Sequence, residues 1–168
     1  EPRGPVYLTL PREVLGNIAA LPVAPRNRPL GSTPAAPSVE AMEQAADIIA
    51  KAEKPLIITS SAARNPAAFH ALGALALDQA IAVGTGQHSA LANSNPMNLG
   101  PLDPALLKSA DVIIVLDTPV PWMPRFATPN ANAKLIHIGH DPHFARYPYR
   151  GFEMDMAIAG DPAAALKM

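Results

Sequence analysis

Short apolar runs recur along this chain, and each ends at a small or acidic residue. The three strongest are "PLIITS" from Pro55, "VIIVLD" from Val112 and "KLIHIG" from Lys134. Strands that are buried on both faces of a parallel sheet have continuous apolar runs of this kind. Two weaker runs have the same character. The pattern therefore predicts five strands, at residues 56–60, 81–83, 112–116, 134–138 and 156–159.

Helical patterns separate these runs and begin at residues that favour helix starts. Ser38 precedes an apolar stripe with helical spacing, and Asn65, Asp103 and Asp161 each precede a proline. Strands that alternate with helices at this spacing imply right-handed crossovers. We therefore expect an α/β fold: a Rossmann-like doubly wound parallel sheet of about five strands, in the order 2-1-3-4-5, with helices on both faces. A ligand crevice would lie at the switch point between the first and third strands.

The first 37 residues have a different character. Val6, Leu8 and Leu10 alternate with Tyr7 and Thr9, which predicts a strand over 5–11. Residues 12–37 are rich in proline and are expected to form an extended connection. We predict that residues 1–37 are the end of a preceding domain plus a linker, and that 38–168 form a central domain. The chain lacks an initial Met and stops within a helical pattern, so we expect it to be a piece of a larger protein.

Composition narrows the function classes. The formal net charge of -1, without a basic stripe, gives no electrostatic support for nucleic-acid binding. The absence of cysteine excludes disulfides, thiolate catalysis and cysteine-ligated zinc. No apolar run approaches the roughly 20 residues of a membrane-spanning helix, and no signal peptide is visible. We expect a cytoplasmic protein with no membrane or nucleic-acid partner.

Five segments together resemble a known family. They are "GPVYLTLP", "AEKPLIIT", "ADVIIVLD", "AKLIHIGHDP" and "MAIAGDPAAAL", with a proline-rich linker after the first. In this order and spacing they resemble the central part of thiamine-diphosphate-dependent enzymes, in particular acetolactate-synthase-like and 2-oxoacid-decarboxylase-like proteins. The resemblance implies a parent of three domains, with neighbouring pyrimidine-binding and pyrophosphate-binding domains, and a homo-oligomer.

The resemblance also implies where the parent's chemistry is located. The family holds thiamine diphosphate and magnesium through a Gly-Asp-Gly motif in the third domain and activates the cofactor by a glutamate in the first. This chain has only Gly160-Asp161-Pro162, which fits a helix start. We therefore expect no catalytic residue, no metal and no thiamine diphosphate on this chain alone, and a structural and oligomerising role.

Some family members bind FAD or ADP in the central domain, and the resemblance makes four residues candidates for such a site. Ser60 and Ser61 follow the first strand and could bind a phosphate, but they are interpreted more readily as residues that end the strand and satisfy backbone groups of the loop. Asp117 follows the third strand and could hold a ribose hydroxyl or a domain-interface partner, or could cap its loop. Asp141 follows the fourth strand and could face a ribose, or could cap the turn made with Pro142. FAD-binding members have glycines after the first strand and Gly-x-Arg-Phe after the third. The serines and Asp117 stand there instead, which disfavours a nucleotide.

Other features leave further alternatives open. His137, His140 and His143 are spaced by three, and they are interpreted as structural or surface residues more readily than as a metal site. Trp122 and the aromatic residues of 144–152 could contact a neighbouring domain or fold back on this one. A free-standing FAD-, ADP- or NAD-binding module is one alternative function. A small hydrolase with a loop site near His88 or His140 is another.

Overall fold

The computed structural model describes residues 7–17, 33–86 and 88–168. The chain divides into two compact units, residues 1–33 and residues 34–168. In the first unit, helix α1 spans Arg12–Leu15 and begins after Pro11. The predicted strand over 5–11 is wrong for residues 7–11, which form no strand. The extended conformation expected from residue 12 is wrong for α1, and residues 18–32 lie outside the described part.

The second unit is an alternation of helices and strands that begins with helix α2 at Val39–Ala50. Strand β1 spans Pro55–Thr59, and a short 3₁₀ helix at Ala62–Arg64 follows it. The remaining elements in chain order are α3 (Pro66–Asp78), β2 (Ala82–Thr85), β3 (Asn98–Pro101), α4 (Pro104–Ser109), β4 (Val112–Leu116), β5 (Lys134–Gly139), β6 (Met156–Ala159) and α5 (Pro162–Ala165).

The six strands form one parallel sheet in the order β3-β2-β1-β4-β5-β6. The α/β fold with a Rossmann-like doubly wound sheet is therefore confirmed, and the five expected strands occur in the expected order. The number of strands is corrected from five to six. The additional strand β3 lies at the edge of the sheet, in a segment for which the sequence predicted no strand. Its sequence, Asn-Leu-Gly-Pro, is half-exposed and carries no buried apolar run.

The two faces of the sheet bury two separate cores. Ile57, Ile114 and Ile136 pack under helices α2, α3 and α5. Leu56, Ile113 and Leu135 point to the opposite face, where α4 and two irregular connections cover them. These are the β4–β5 connection (residues 117–133) and the β5–β6 connection (residues 140–155). The connection from β1 to β2 runs through α3 on the first face, whereas the connections from β3 to β4, from β4 to β5 and from β5 to β6 run over the second face. Right-handed crossovers require this change of face where the chain reverses its direction along the sheet.

Local chemistry sets where the helices begin. The side chain of Asn65 accepts a hydrogen bond from the backbone N–H of Ala67 at 2.9 Å, which caps α3. Asp103 and Asp161 cap α4 and α5 in the same way. Each of these three caps is followed by proline at the first helical position, so a missing N–H costs nothing there. The helix starts expected from the sequence are confirmed.

Candidate functional site

A crevice opens beside the carboxyl ends of β1 and β4, where the chain changes direction along the sheet. The cavity has a volume of about 690 Å³. One wall carries mostly polar residues from the end of β2 and from the segments after β1 and β2, and the other is an apolar wall from the β4–β5 connection. The polar wall contains Ser60, Ser61, Arg64, Thr85, Gly86 and His88, and the apolar wall contains Pro119, Val120, Pro121, Trp122, Met123 and Phe126. This is the place where open α/β sheets bind ligands.

Ser60 and Ser61 both line this crevice. The Ser60 hydroxyl lies 3.4 Å from the hydroxyl of Thr118, which donates to the backbone carbonyl of Leu116 at 2.9 Å. Ser61 precedes the 3₁₀ helix, and its side chain does not cap that helix. Arg64 is exposed on the same wall. Two hydroxyls and a guanidinium can together hold an anionic group, because all three donate hydrogen bonds.

Asp117 lies at the end of β4, next to the end of β5. Its φ of 45° is in the left-handed region, which aspartate tolerates better than most residues. The Asp117 N–H donates to the carbonyl of Ile138 at 2.8 Å. Gly139 lies so close that a Cβ placed there would be 3.4 Å from the Cα and from a carboxylate oxygen of Asp117. Asp117 is not among the residues that line the crevice.

Asp141 closes a turn in the β5–β6 connection. Its carboxylate accepts from the N–H of Ala145 at 2.8 Å, and its backbone carbonyl accepts from the N–H of Phe144 at 3.0 Å. Asp141 is also absent from the crevice lining. The structure therefore brings Ser60 and Ser61 together in one site and places Asp117 and Asp141 outside it. Their proposed roles toward a ribose stay predictions.

Arg150 is the centre of a half-buried cluster in the segment whose aromatic residues the sequence left between two interpretations. The Arg150 guanidinium lies 4.7 Å from the centroid of the Phe144 ring and 5.3 Å from that of Phe152. It donates to the backbone carbonyls of Thr118 at 3.4 Å and Pro119 at 3.3 Å. One of its nitrogens lies 3.2 Å from Nδ1 of His137. Sequence spacing could not reveal this cluster, since Arg150 and Thr118 are 32 residues apart.

Burial controls the electrostatics of this cluster. His137 is almost fully buried, and its burial is the main cause that lowers its pKa from 6.5 to about 4, with Arg150 and His143 contributing. The backbone of Glu153 acts in the other direction and raises the pKa of His137. Among the described residues, no atom lies within hydrogen-bonding geometry of Nε2 of His137. Burial also lowers the pKa of Arg150, whereas the charge of Asp141 opposes that change.

The three histidines that are spaced by three do not converge. His137 is buried against Arg150, His140 lies 3.7 Å from the carboxylate of Asp161, and His143 is exposed. Within residues 7–17, 33–86 and 88–168, no group of three or more His, Cys, Asp or Glu side chains is arranged to hold a metal ion. In the same residues, no helix has the length and hydropathy of a membrane span.

Trp122 folds back on its own domain. It is 8% exposed, and its ring meets that of Phe152 edge to face, with 5.2 Å between centroids. Its neighbours point outward: Val120, Met123 and Phe126 are 51%, 56% and 64% exposed. The segment therefore has a buried anchor and an apolar outer surface at the mouth of the crevice.

Residues 42–168 match the family model described as the thiamine pyrophosphate enzyme central domain. No curated protein sequence matches this chain significantly.

Solved structures share the fold. Benzoylformate decarboxylase from Polynucleobacter necessarius superposes with a TM-score of 0.69 at 20% identity, over 99% of this chain and 32% of its own. The 4-hydroxybenzoylformate decarboxylase of Rhodococcus jostii RHA1 gives a TM-score of 0.64 at 19% identity, over 84% of this chain and 28% of its own. A Mycobacterium smegmatis protein described as thiamin diphosphate-dependent gives 0.66 at 22%, over 86% of this chain and 29% of its own. This chain thus spans about a third of these proteins.

Proposed function

This chain belongs to the family of thiamine pyrophosphate enzyme central domains, and from that membership we propose that it is the structural middle domain of a thiamine-diphosphate-dependent enzyme. The match over residues 42–168 is the observation that carries the proposal. The proposed boundary places 1–37 with a preceding domain and linker, and 38–168 with the middle domain. The shares of 28% to 32% that this chain covers in the similar structures support a parent with further domains.

The residues of this chain do not fit thiamine diphosphate or its magnesium. The only Gly-Asp pair of the expected kind, Gly160 and Asp161, serves the fold: the Asp161 carboxylate accepts from the N–H of Ala164 at 3.2 Å. A Cβ on Gly160 would lie 2.6 Å from the backbone nitrogen of Pro37, so this glycine is needed for close packing. We therefore assign the cofactor and its metal to neighbouring pyrimidine-binding and pyrophosphate-binding domains, and the fragment alone is not catalytic.

The proposed parent reaction is cleavage or formation of a bond beside the carbonyl of a 2-oxo acid. Two of the similar structures are decarboxylases of aryl 2-oxo acids, which supports the decarboxylase-like branch of the family. The alternative reaction class is that of the acetolactate-synthase-like branch, whose enzymes are transferases rather than lyases. The parent substrate is chosen by residues outside this chain.

The exposed apolar surface at the crevice mouth supports a role in domain contact. Val120, Met123 and Phe126 are each more than half exposed, and they adjoin three prolines of the same connection. An apolar patch of this kind on an isolated domain marks an interaction surface. We propose that it contacts a neighbouring domain of the parent or a second subunit of a homo-oligomer.

The test compares this chain with the product of the full reading frame. Both are assayed for decarboxylation of benzoylformate, pyruvate and other 2-oxo acids, with and without thiamine diphosphate and magnesium. We expect turnover from the longer protein only when the cofactor is present, and none from residues 1–168. Turnover by residues 1–168 alone would overturn the proposal, as would a longer protein that shows no thiamine-dependent reaction.

The crevice supports a second candidate function, the binding of a nucleotide such as FAD, ADP or NAD. The specific observation is that Ser60, Ser61 and Arg64 line one wall of a cavity of about 690 Å³, with an apolar wall opposite. A ligand at a hundred times its Kd stabilises the folded state by about 2.7 kcal/mol. Thermal unfolding is measured with each nucleotide at millimolar concentration, for the unsubstituted chain, Arg64→Gln and the control Arg146→Gln. A shift lost only in Arg64→Gln supports this function, and no shift with any nucleotide refutes it.

A further inference from the structure

The two irregular connections on one face of the sheet are fastened together at two points. The first is the pair of hydrogen bonds from Arg150 to the carbonyls of Thr118 and Pro119, at 3.4 and 3.3 Å. The second is the edge-to-face contact between Trp122 and Phe152. Both lie beside the crevice, because Pro119 and Trp122 belong to its apolar wall. The position of that wall therefore depends on where residues 150–152 are held.

His137 contacts Arg150 where the two connections are fastened together, and the protonation state of its ring decides whether a charged Arg150 can keep this contact. A guanidinium has only donors, so the contact of 3.2 Å between Arg150 and Nδ1 of His137 requires Nδ1 to be the acceptor. The neutral ring must then carry its proton on Nε2. A second proton would have to occupy Nδ1, which would remove the acceptor and set two positive groups against each other, one of them buried and the other half-buried. The two side chains cannot both be charged and keep this geometry.

Charges from the surrounding elements do not relieve this conflict. His143 is the other titratable group that acts on the ring, and it adds positive charge when protonated. Asp141 and Tyr147 act on Arg150 rather than on the ring. The strand neighbours of His137 in the sheet are Val115 and Ala157, which carry no charge.

We propose that His137 and Arg150 form an acid-sensitive latch that holds the β5–β6 connection against the crevice wall while His137 is neutral and releases it when His137 is protonated. On release, Arg150 leaves the carbonyls of Thr118 and Pro119 and takes its charge to solvent, and Phe152 withdraws from Trp122. The crevice wall then becomes free to move. The latch acts on the crevice whatever ligand or domain the crevice receives, so it does not depend on the proposed parent reaction.

Trp122 is the single tryptophan of the chain and reports directly on the latch. Its fluorescence and acrylamide quenching are followed from pH 7 to pH 3 in the whole chain, alongside the far-ultraviolet circular dichroism. We expect emission to shift to longer wavelength and quenching to increase reversibly, with a midpoint near pH 4, while the helical signal is retained. A helical signal that changes together with emission would mean acid unfolding and would overturn the latch.

Matched variants separate the latch from general acid effects. His137→Asn stays neutral throughout and is expected to lose the transition, whereas the control His70→Asn, on the exposed side of α3, should keep it. Arg150→Met is expected to show the released emission already at pH 7, and Arg146→Met, an exposed arginine of the same connection, should not. The proposal fails if His137→Asn retains the transition, or if the emission of Arg150→Met at pH 7 equals that of the unsubstituted chain.

A second measurement does not require the variants to fold. Long-range ¹H–¹⁵N correlation spectra of the histidine rings in the unsubstituted chain report the tautomer of each ring. We expect His137 to carry its proton on Nε2 at pH 7 and to titrate with the same midpoint as the Trp122 signal. A ring protonated on Nδ1 at pH 7, or one that titrates independently of Trp122, would contradict the latch.

Discussion

Replacement of Gly160 by alanine should destabilise this domain more than any other single methyl addition at its glycines. A Cβ there would lie 2.6 Å from the backbone nitrogen of Pro37 and 2.8 Å from its Cα and Cδ. Optimal separations between nonbonded carbons are about 3.5–4.0 Å, so the two segments must move apart by roughly 1 Å. Pro37 cannot yield by a rotamer change, because the contacted atoms are backbone and ring.

The expected magnitude follows from two contributions. Overpacking of a closely packed site costs typically about 1–3 kcal/mol. The hydrogen bond from the N–H of Asp161 to the carbonyl of Ala35, at 2.8 Å, adjoins the clash and would be stretched or lost. A lost hydrogen bond adds about 1 kcal/mol, so we expect the free energy of unfolding to fall by roughly 2–4 kcal/mol.

Urea unfolding followed by Trp122 fluorescence measures this effect, with Gly73→Ala as the matched control. Gly73 lies inside α3, and a Cβ there would meet its nearest atom at 3.6 Å, an ordinary contact. Alanine at this position should stabilise the domain by about 0.5–1 kcal/mol through helix propensity. If the free energy of unfolding of Gly160→Ala lies within about 0.5 kcal/mol of that of the unsubstituted chain, residues 35–37 are not packed against the start of α5 as described, and the reasoning is refuted.

Three further predictions concern polar contacts and pH. The Asp111 carboxylate accepts from the N–H groups of Glu53 and Lys54 at 2.7 and 2.9 Å, which lowers its pKa below the ordinary 3.8; Asp111→Ala should cost about 1–2 kcal/mol in urea unfolding at pH 7, and the cost should shrink as pH falls below 3.8, where the unfolded chain takes up the proton before the folded chain does. The buried His137 has a pKa lowered from 6.5 to about 4, so the unfolded chain binds the proton first; stability should fall by roughly 3 kcal/mol as pH drops through that window, and His137→Asn should flatten the profile. Asn65→Ala removes the cap of α3 and should cost about 1 kcal/mol in thermal unfolding, whereas Asn93→Ala, outside the helices, should cost less; equal losses would contradict the capping role.

Local sequence was sufficient to predict most of the fold. The buried strands are continuous apolar runs, and Asn65, Asp103 and Asp161 mark helix starts through chemistry that operates within three residues of the cap. Strand order followed because right-handed crossovers leave few arrangements for such an alternation. These features depend on neighbours along the chain or on general rules of handedness, and the sequence contains both.

Strand β3 could not be predicted in this way. Asn98 and Gly100 form no apolar run, and the segment becomes a strand because β2 offers an unpaired edge. The strand expected over 5–11 failed for the opposite reason: alternation was present, but residues 7–11 pair with no strand. A strand requires a partner for its backbone hydrogen bonds, and only the folded chain provides one.

The candidate site divides along the same line. Ser60 and Ser61 line the crevice, because the ends of adjacent parallel strands meet at one edge of the sheet. Asp117 and Asp141 also follow strands, yet Asp117 lies against the end of β5 and Asp141 bonds within its own loop, so neither lines the crevice. The contacts of Arg150 with His137 and with the carbonyl of Thr118 arose only from tertiary structure. Residues far apart in the chain become partners through packing in three dimensions, and local pattern carries no record of that packing.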